Sequence, residues 1–360
     1  LEIKIKQSQN TAFFIKNSHA FVDILKVYTE EIPIVKESNS NKNLSYVTSL
    51  STQYILYTRE EVLKSPKYLK KQKYLARYVA PVAYQFAKVM LRNRIIWINN
   101  NLTSTPLYNS NWDNIDILKL SRSLSELYPN KFIIFKSLEP LTDEVFFNKF
   151  AHQDFIPLLG RQVYIFDPQK SNYKKKRSFQ MDRKLAKNQK RFYWSYLDLN
   201  NDSDITRVLD LYKKLYIEKH SLYNPVYTEN FIKNGFGNFK LRFEVLKDKE
   251  NDSIVAVQGI QETDRIINTC YIGYDQSLPT AVGLYRMMNY ELMNQAIEKN
   301  KILNMSSGAG DFKMKRGATA SFEYQMIYKK NLSKRYIKFW TFFANSLENK
   351  VKKQMQGLKV

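Results

Sequence analysis

The sequence predicts a mixed α/β (α+β) chain of two lobes, each a mixed sheet flanked by helices, and three observations lead there. Apolar runs with strand character alternate with stretches of helical period along the whole length. Turn-forming residues cluster between those stretches rather than inside them. At 360 residues, with 44% hydrophobic and 14% aromatic content, the chain has enough apolar side chain to fill two cores.

Residues 1–45 read as an N-terminal extension: one apolar stretch, Phe21 to Val27, makes an extension or leading helix, and the soft run Glu37 to Asn43 makes a loop. Residues 46–168 read as an N-terminal mixed α/β lobe. Tyr46 to Tyr57 has a strand-like pattern. Leu75, Val79, Val82, Phe86 and Val89 recur at three- and four-residue spacing, which places one apolar face on a long helix. Arg94 to Asn99 and Lys131 to Phe135 read as short strands, Ile115 to Leu127 as a second amphipathic helix, and a further helix is expected near Val145. Arg161 to Phe166 alternates like a strand and stops at Asp167-Pro168.

Residues 169–330 have clearer punctuation. Arg177 to Tyr193 reads as a basic helix with Met181, Leu185 and Phe192 inward, and Ile205 to Tyr216 as a helix with Leu209, Tyr212 and Leu215 inward. Leu241 to Leu246, Ile254 to Ile260 and Ile266 to Tyr274 are expected to be antiparallel strands, separated by short polar turns. A helix from Leu284 to Lys299, a short strand Ile302 to Met305, a glycine turn and a last strand near Phe322 to Tyr328 follow. Residues 331–360 form a basic amphipathic helix with Tyr336, Phe339, Trp340, Phe343 and Leu347 on one stripe, which either packs on the domain or docks at an interface or carrier.

Composition removes several function classes. Cys270 is the sole cysteine, so no intrachain disulfide forms and no thiolate metal cluster is expected; a reducing, cytoplasmic setting is the natural reading. His19, His152 and His220 stand in no ligand spacing, so no metal is expected, and His220 suits a helix C-terminus. The most apolar helical stretch, Tyr78 to Trp97, is broken by Lys88, Arg92 and Arg94, so no transmembrane segment is expected. The net charge is +23, and Lys174 to Phe192 together with Lys329 to Val360 supply 16 of the 23 excess charges, the first with Asp182 as its lone acid. Such clusters attract polyanions, whether nucleic acid, anionic membrane, acidic carrier or nucleotide cofactor; a lysine-rich solvated surface is the plainer alternative.

The order of elements after residue 172, together with Ala256-Val257-Gln258-Gly259, Tyr271-Ile272-Gly273-Tyr274-Asp275, Gly283-Leu284-Tyr285 and Ser307-Gly308-Ala309-Gly310-Asp311-Phe312-Lys313, resembles the GNAT superfamily of acyltransferases, in the branch related to Fem-type peptidyltransferases. The resemblance covers about half the chain and implies a GNAT-like sheet here; because Fem-type proteins carry two such lobes, it implies that residues 46–168 form a second one. It also implies an N-acyltransferase that moves an acyl or aminoacyl group from a polyanionic carrier to an amine. The carrier is acyl-CoA, an acyl carrier protein or aminoacyl-tRNA, and no tightly bound cofactor is implied. One departure bears on the donor: the place of the glycine-rich pyrophosphate loop reads Pro279-Thr280-Ala281-Val282-Gly283-Leu284, with a single glycine. The other class of function is a non-enzymatic GNAT-like module that binds nucleic acid or a protein partner.

Acyl transfer needs a positioned carbonyl, a stabilised oxyanion and a route for the amine proton. Tyr274, Asp275 and Lys313 are the catalytic candidates, Tyr274 as proton donor to the leaving group, Asp275 to orient or deprotonate the amine, and Lys313 to hold phosphate or oxyanion. Gln258, Gly283, Leu284, Phe312, Lys315, Arg316, Arg183 and Lys187 are the donor-binding candidates, and Arg161, Gln162 and Ser104 the acceptor-binding ones. Each has a plainer reading: Tyr274-Asp275 as an ordinary strand exit, Lys313 to Arg316 as an exposed basic turn, Arg183 and Lys187 as a solvated helix face.

Overall fold

The structure is a computed structural model that describes all residues except 1–2, 67, 143, 152–153, 236–238, 240 and 354–360, so His152 and the last residues of the expected C-terminal helix lie outside it. In chain order the elements are β1 (Ile3–Asn10), β2 (Phe21–Val27), β3 (Glu30–Lys36), α1 (Thr58–Lys64), α2 (Lys70–Met90), β4 (Ile95–Ile98), α3 (Ile117–Leu127), β5 (Phe132–Leu138), α4 (Glu144–Asn148) and β6 (Phe155–Phe166). They continue with α5 (Arg177–Asn188), β7 (Phe192–Tyr196), α6 (Asp202–Tyr212), α7 (Glu229–Asn234), β8 (Arg242–Asp248), β9 (Ile254–Glu262) and β10 (Ile266–Tyr274). Last come α8 (Leu284–Glu298), β11 (Ile302–Asn304), α9 (Gly310–Met314), β12 (Thr319–Tyr328) and α10 (Lys334–Ser346). No helix among the described residues is long and apolar enough to cross a membrane.

The chain folds as two compact units, each assembled from separated stretches: Leu1–Pro106, Leu118–Lys136 and Tyr212–Lys240 in unit 1, and Leu107–Ile117, Ser137–Leu211 and Leu241–Val360 in unit 2. In unit 1 the strand order is β1-β2-β3-β4-β5, antiparallel up to β4 and parallel between β4 and β5. That parallel pair holds along all of β4, from Ile95 opposite Phe132 to Ile98 opposite Phe135. Beyond it a buried ammonium closes the end of the pair: Lys136 Nζ donates to the carbonyls of Val47 (3.0 Å) and Thr103 (3.0 Å) and to Asn100 Oδ1 (3.1 Å).

Unit 2 has the order β12-β6-β11-β10-β9-β8-β7. The three expected hairpin strands are β8, β9 and β10, and they are antiparallel neighbours. Only β10 and β11 run parallel. Helices α5 and α8 lie on one face, where Phe179, Tyr290 and Met293 pack on Ile260 and Ile267. Gly259 is glycine for a steric reason: a Cβ there would stand 2.8 Å from Tyr271 Cβ and 2.9 Å from the Phe243 ring.

Several elements differ from expectation. Ile3 to Lys36 contains three paired strands instead of an extension or helix, since the short, mostly apolar run Phe21–Val27 satisfies either period and its pairing with Ile3–Asn10 and Glu30–Lys36 decides. Tyr46 to Tyr57 is turn and helix, not strand. The long helix α2 is present as expected, and its apolar face, to which the sequence assigned no side, turns outward; its buried residues are Ala76 and Tyr84. The basic helix α5 stops at Asn188, because the Gln189 side chain bonds both the N–H (2.8 Å) and the carbonyl (3.1 Å) of Phe192 and turns the chain into the unforeseen strand β7. Met181 is consequently exposed, and Phe179 and Asp182 take the inward positions of α5.

Substituting Gly259 by Ala is expected to lower unfolding free energy by about 1–3 kcal/mol through forced displacement of Tyr271 and Phe243, measured by urea denaturation.

Candidate active site in unit 2

The parallel pair of unit 2 separates early. β10 and β11 are in register only over Ile266–Asn268 and Ile302–Asn304, after which β10 runs on to Tyr274 while Met305 keeps to β6, continuing that ladder with its N–H on the Tyr164 carbonyl (2.9 Å). A splay therefore opens between the far half of β10 and the turn that follows β11.

That turn is held from inside by Lys313. Its ammonium donates to the carbonyls of Met305 (2.6 Å), Ser306 (3.1 Å) and Ser307 (2.9 Å), and lies 5.4 Å from the centre of the Tyr164 ring. Lys313 is only 3% exposed, so it is not the exposed basic-turn residue of the plainer reading. Burial pushes its pKa down to about 7, with Arg161 acting in the same direction; the three carbonyls favour the charged form. Because a trans peptide sets N–H opposite C=O, the N–H groups of Ser307 and Gly308 point away from the ammonium. Neither has a hydrogen-bond acceptor among the described residues. Positive φ at Ser306 (60°), Gly308 (76°) and Ala309 (51°) shapes this turn.

A line of rings leads from the end of β10 to the same segment. Tyr274 stands 6.0 Å from Tyr285 and Tyr285 stands 4.9 Å from Phe312, centre to centre. The Arg316 guanidinium caps Phe312 at 3.3 Å. Arg316 also donates to Asp182, whose other oxygen accepts from Arg286 at 2.6 Å. Asp182, the lone acid of the basic segment, is thus a buried carboxylate shared by two arginines, which fixes α5, α8 and the chain after α9 to one another. Burial raises the pKa of the Tyr274 phenol, so it keeps its proton at neutral pH. For Asp275, burial alone would raise the pKa, but hydrogen bonds from Ser277 and Arg207 prevail and hold it below the usual range. Arg207 reaches it at 2.7 Å.

The other sequence candidates fall in different places. Arg183 and Lys187 are exposed one turn apart on α5, and Lys315 is exposed after α9. Gly283, at φ 77°, opens α8 with Leu185 packed against it, and the Leu284 side chain is in the core beside Phe192 and Met287. Gln258 is fully buried and donates to Glu244 (2.9 Å), which also accepts from Gln295 of α8 (2.8 Å). Arg161 is paired with Glu323 (3.1 Å), and Gln162 accepts from the Tyr164 hydroxyl (3.3 Å). Ser104 belongs to unit 1, apart from the candidates of unit 2. The sequence reading missed Tyr285, Arg286 and Asp182. Asp182 had a visible signal, a single acid inside a run of nine basic residues.

No protein-family model matches this chain, and no curated protein matches it. Solved structures of similar shape include L-PGS from Bacillus licheniformis, at 14% identity over 70% of this chain and 83% of that one with a TM-score of 0.46. A conserved protein of unknown function from Bacteroides thetaiotaomicron is 18% identical, over 65% of this chain and 79% of that one, with a TM-score of 0.41. A GCN5-related N-acetyltransferase from Kribbella flavida is 9% identical over 65% and 81%, with a TM-score of 0.34.

Replacing Lys313 by Met is expected to lower stability by at least about 2 kcal/mol, since three carbonyls lose their donor. The loss should grow with pH. The folded state gives up this proton at about 7 and the unfolded chain at the ordinary 10.5. Between those values the unfolded chain holds more protons, so the lysine's contribution to stability rises. Denaturation of both proteins at pH 7, 8 and 9 measures it; a constant difference would mean that Lys313 stays fully protonated in the fold.

Proposed function

We propose that unit 2 is an N-acyltransferase whose active site is the splay between β10 and the turn after β11, as in the GNAT-like and Fem-type enzymes that the sequence resembles. The observation that carries this reading is the loss of β10–β11 pairing after Asn268, beside a turn with two N–H groups that lack acceptors. In this reading the amine nitrogen attacks the acyl carbonyl carbon. The oxygen that becomes negative is received by the N–H groups of Ser307 and Gly308, and Lys313 acts as a positioning residue that fixes those two groups. Tyr274, which keeps its proton, donates it to the departing thiolate or ribose oxygen as the carbon–sulfur or carbon–oxygen bond breaks. Asp275 stays a carboxylate and draws the ammonium form of the acceptor toward the strand end; the ammonium loses one proton to solvent before its nitrogen attacks and a second as the tetrahedral intermediate collapses, and Tyr274 regains its proton from solvent.

The donor is a polyanionic carrier: acyl-CoA, an acyl carrier protein or aminoacyl-tRNA. With a single glycine before α8 there is little backbone to cradle a pyrophosphate, so donor affinity comes from side-chain charge, with the exposed cations Arg183, Lys184, Lys187 and Lys190 on and just after α5 and Lys315 after α9 as its source. Arg191 is left out of this set because it is engaged with Asp248 at 2.7 Å. Arg161 and Gln162 remain the proposed acceptor-side residues of unit 2. The second reading, a non-enzymatic binding module, rests on the same cations and needs no splay.

Two outcomes are expected. Tyr274→Phe should lower kcat by about 10²-fold or more with little change in donor binding, read by single-turnover transfer to an amine. Changing Arg183, Lys184, Lys187 and Lys190 together to Gln should weaken donor binding and flatten its salt dependence, by roughly 0.7 to 0.9 in log–log slope for each phosphate that is no longer neutralised. Titrations against CoA, carrier protein and tRNA in parallel identify the donor. Charge-dependent binding with no transfer from any of the three donors would favour the binding module.

A further inference from the structure

Helix α2 of unit 1 presents its large apolar side chains to the outside. Leu75, Val79, Val82, Phe86 and Val89 are between 46% and 75% exposed, whereas the side turned to the protein carries Ala76, Ala80, Ala87 and Tyr84. At 100° per residue the five exposed apolar positions fall within one stripe about 80° wide. Tyr74 and Tyr78, both more than half exposed, follow next around the helix, and Arg77 and Lys70 come after them. Apart from Lys71, which stands at the N-terminal end of the stripe itself, the outer surface grades from aliphatic through tyrosine to cationic. The 21 residues of α2 include no acid, and Lys70, Lys71, Arg77 and the following Arg92 have no acidic partner among the described residues.

We propose that α2 is an interfacial anchor that lays this stripe into the surface of an anionic lipid bilayer. Charge chooses the occupant. A second copy of this chain carries the same +23 and would bring cations against cations. A nucleic-acid backbone satisfies the cations but offers nothing to Val79, Val82, Phe86 and Val89. An anionic bilayer satisfies both, with headgroup phosphates for the basic edge, the headgroup boundary for the tyrosines and acyl chains for the stripe. The helix lies along the surface rather than crossing it.

The test uses the full chain and co-sedimentation with vesicles of phosphatidylcholine alone or with about one-third phosphatidylglycerol. Binding to the anionic vesicles is expected to be at least about ten-fold tighter and to fall with salt. Val82→Glu combined with Phe86→Glu should reduce it at least about ten-fold without lowering the melting temperature, because both side chains are exposed. Phe86→Trp should show a blue-shifted emission on anionic vesicles that the wild-type tryptophans do not. The proposal is overturned if the wild type does not sediment with anionic vesicles, if the double variant binds them as well as wild type, or if Phe86→Trp emission does not move. It is equally overturned if the wild type self-associates in sedimentation velocity and the double variant does not, since a second copy would then cover the stripe.

Discussion

The buried ammonium of Lys313 holds unit 2's site together. An ammonium taken out of water costs several kcal/mol, and it is tolerated here because three main-chain carbonyls take its three protons. Those same bonds dictate the path of Met305 to Ser307, and that path leads the chain away from β10 instead of along it. Without this inward anchor the turn would have no reason to hold its carbonyls on one side and its N–H groups on the other. The positive φ values at Ser306, Gly308 and Ala309 are the conformational cost of that arrangement.

Unit 1 gives a contrasting use of the same device. Lys136 is also buried on main-chain carbonyls and an amide oxygen, but it closes the end of a parallel pair that stays in register along the whole of β4. In unit 2 the parallel pair likewise spans all of its shorter strand, β11, but β10 runs on for six residues, Thr269 to Tyr274, beyond it. A lysine that closes a pair and a lysine that shapes a turn beside an opening share their hydrogen-bond chemistry and differ in what they leave unpaired. The proposed reaction is assigned to unit 2 because there β10 continues past the end of its parallel partner beside that turn.

A second electrostatic arrangement supports the first. Asp182 stands between Arg286 and Arg316, and Arg316 covers Phe312, the residue before Lys313. Removing the carboxylate would leave two cations facing each other in a part of the protein with little water, so the carboxylate and the arginines form one unit with respect to mutation. The ring series Tyr274, Tyr285 and Phe312 ends on this unit, which places the phenol proposed as proton donor on a rigid support.

Local signals in the chain are enough for the mixed α/β class, the antiparallel trio β8 to β10, the long helix α8 and the glycine turn after β11, because each carries alternation, helical period or a residue with special φ. They also mark the position of Lys313, but not its burial, since a lysine after a glycine turn is written the same way whether it faces water or three carbonyls. That Phe21 to Val27 is a strand follows from packing alone, for short apolar runs satisfy either period until a partner strand takes up their N–H and C=O groups. The inward and outward faces of α2 were likewise set by packing: helical period shows which residues share a face, and the surrounding protein chooses which face is covered, here the alanine side. Asp182 is 104 residues from Arg286 and 134 from Arg316, and no local pattern reveals the two arginines that its carboxylate joins.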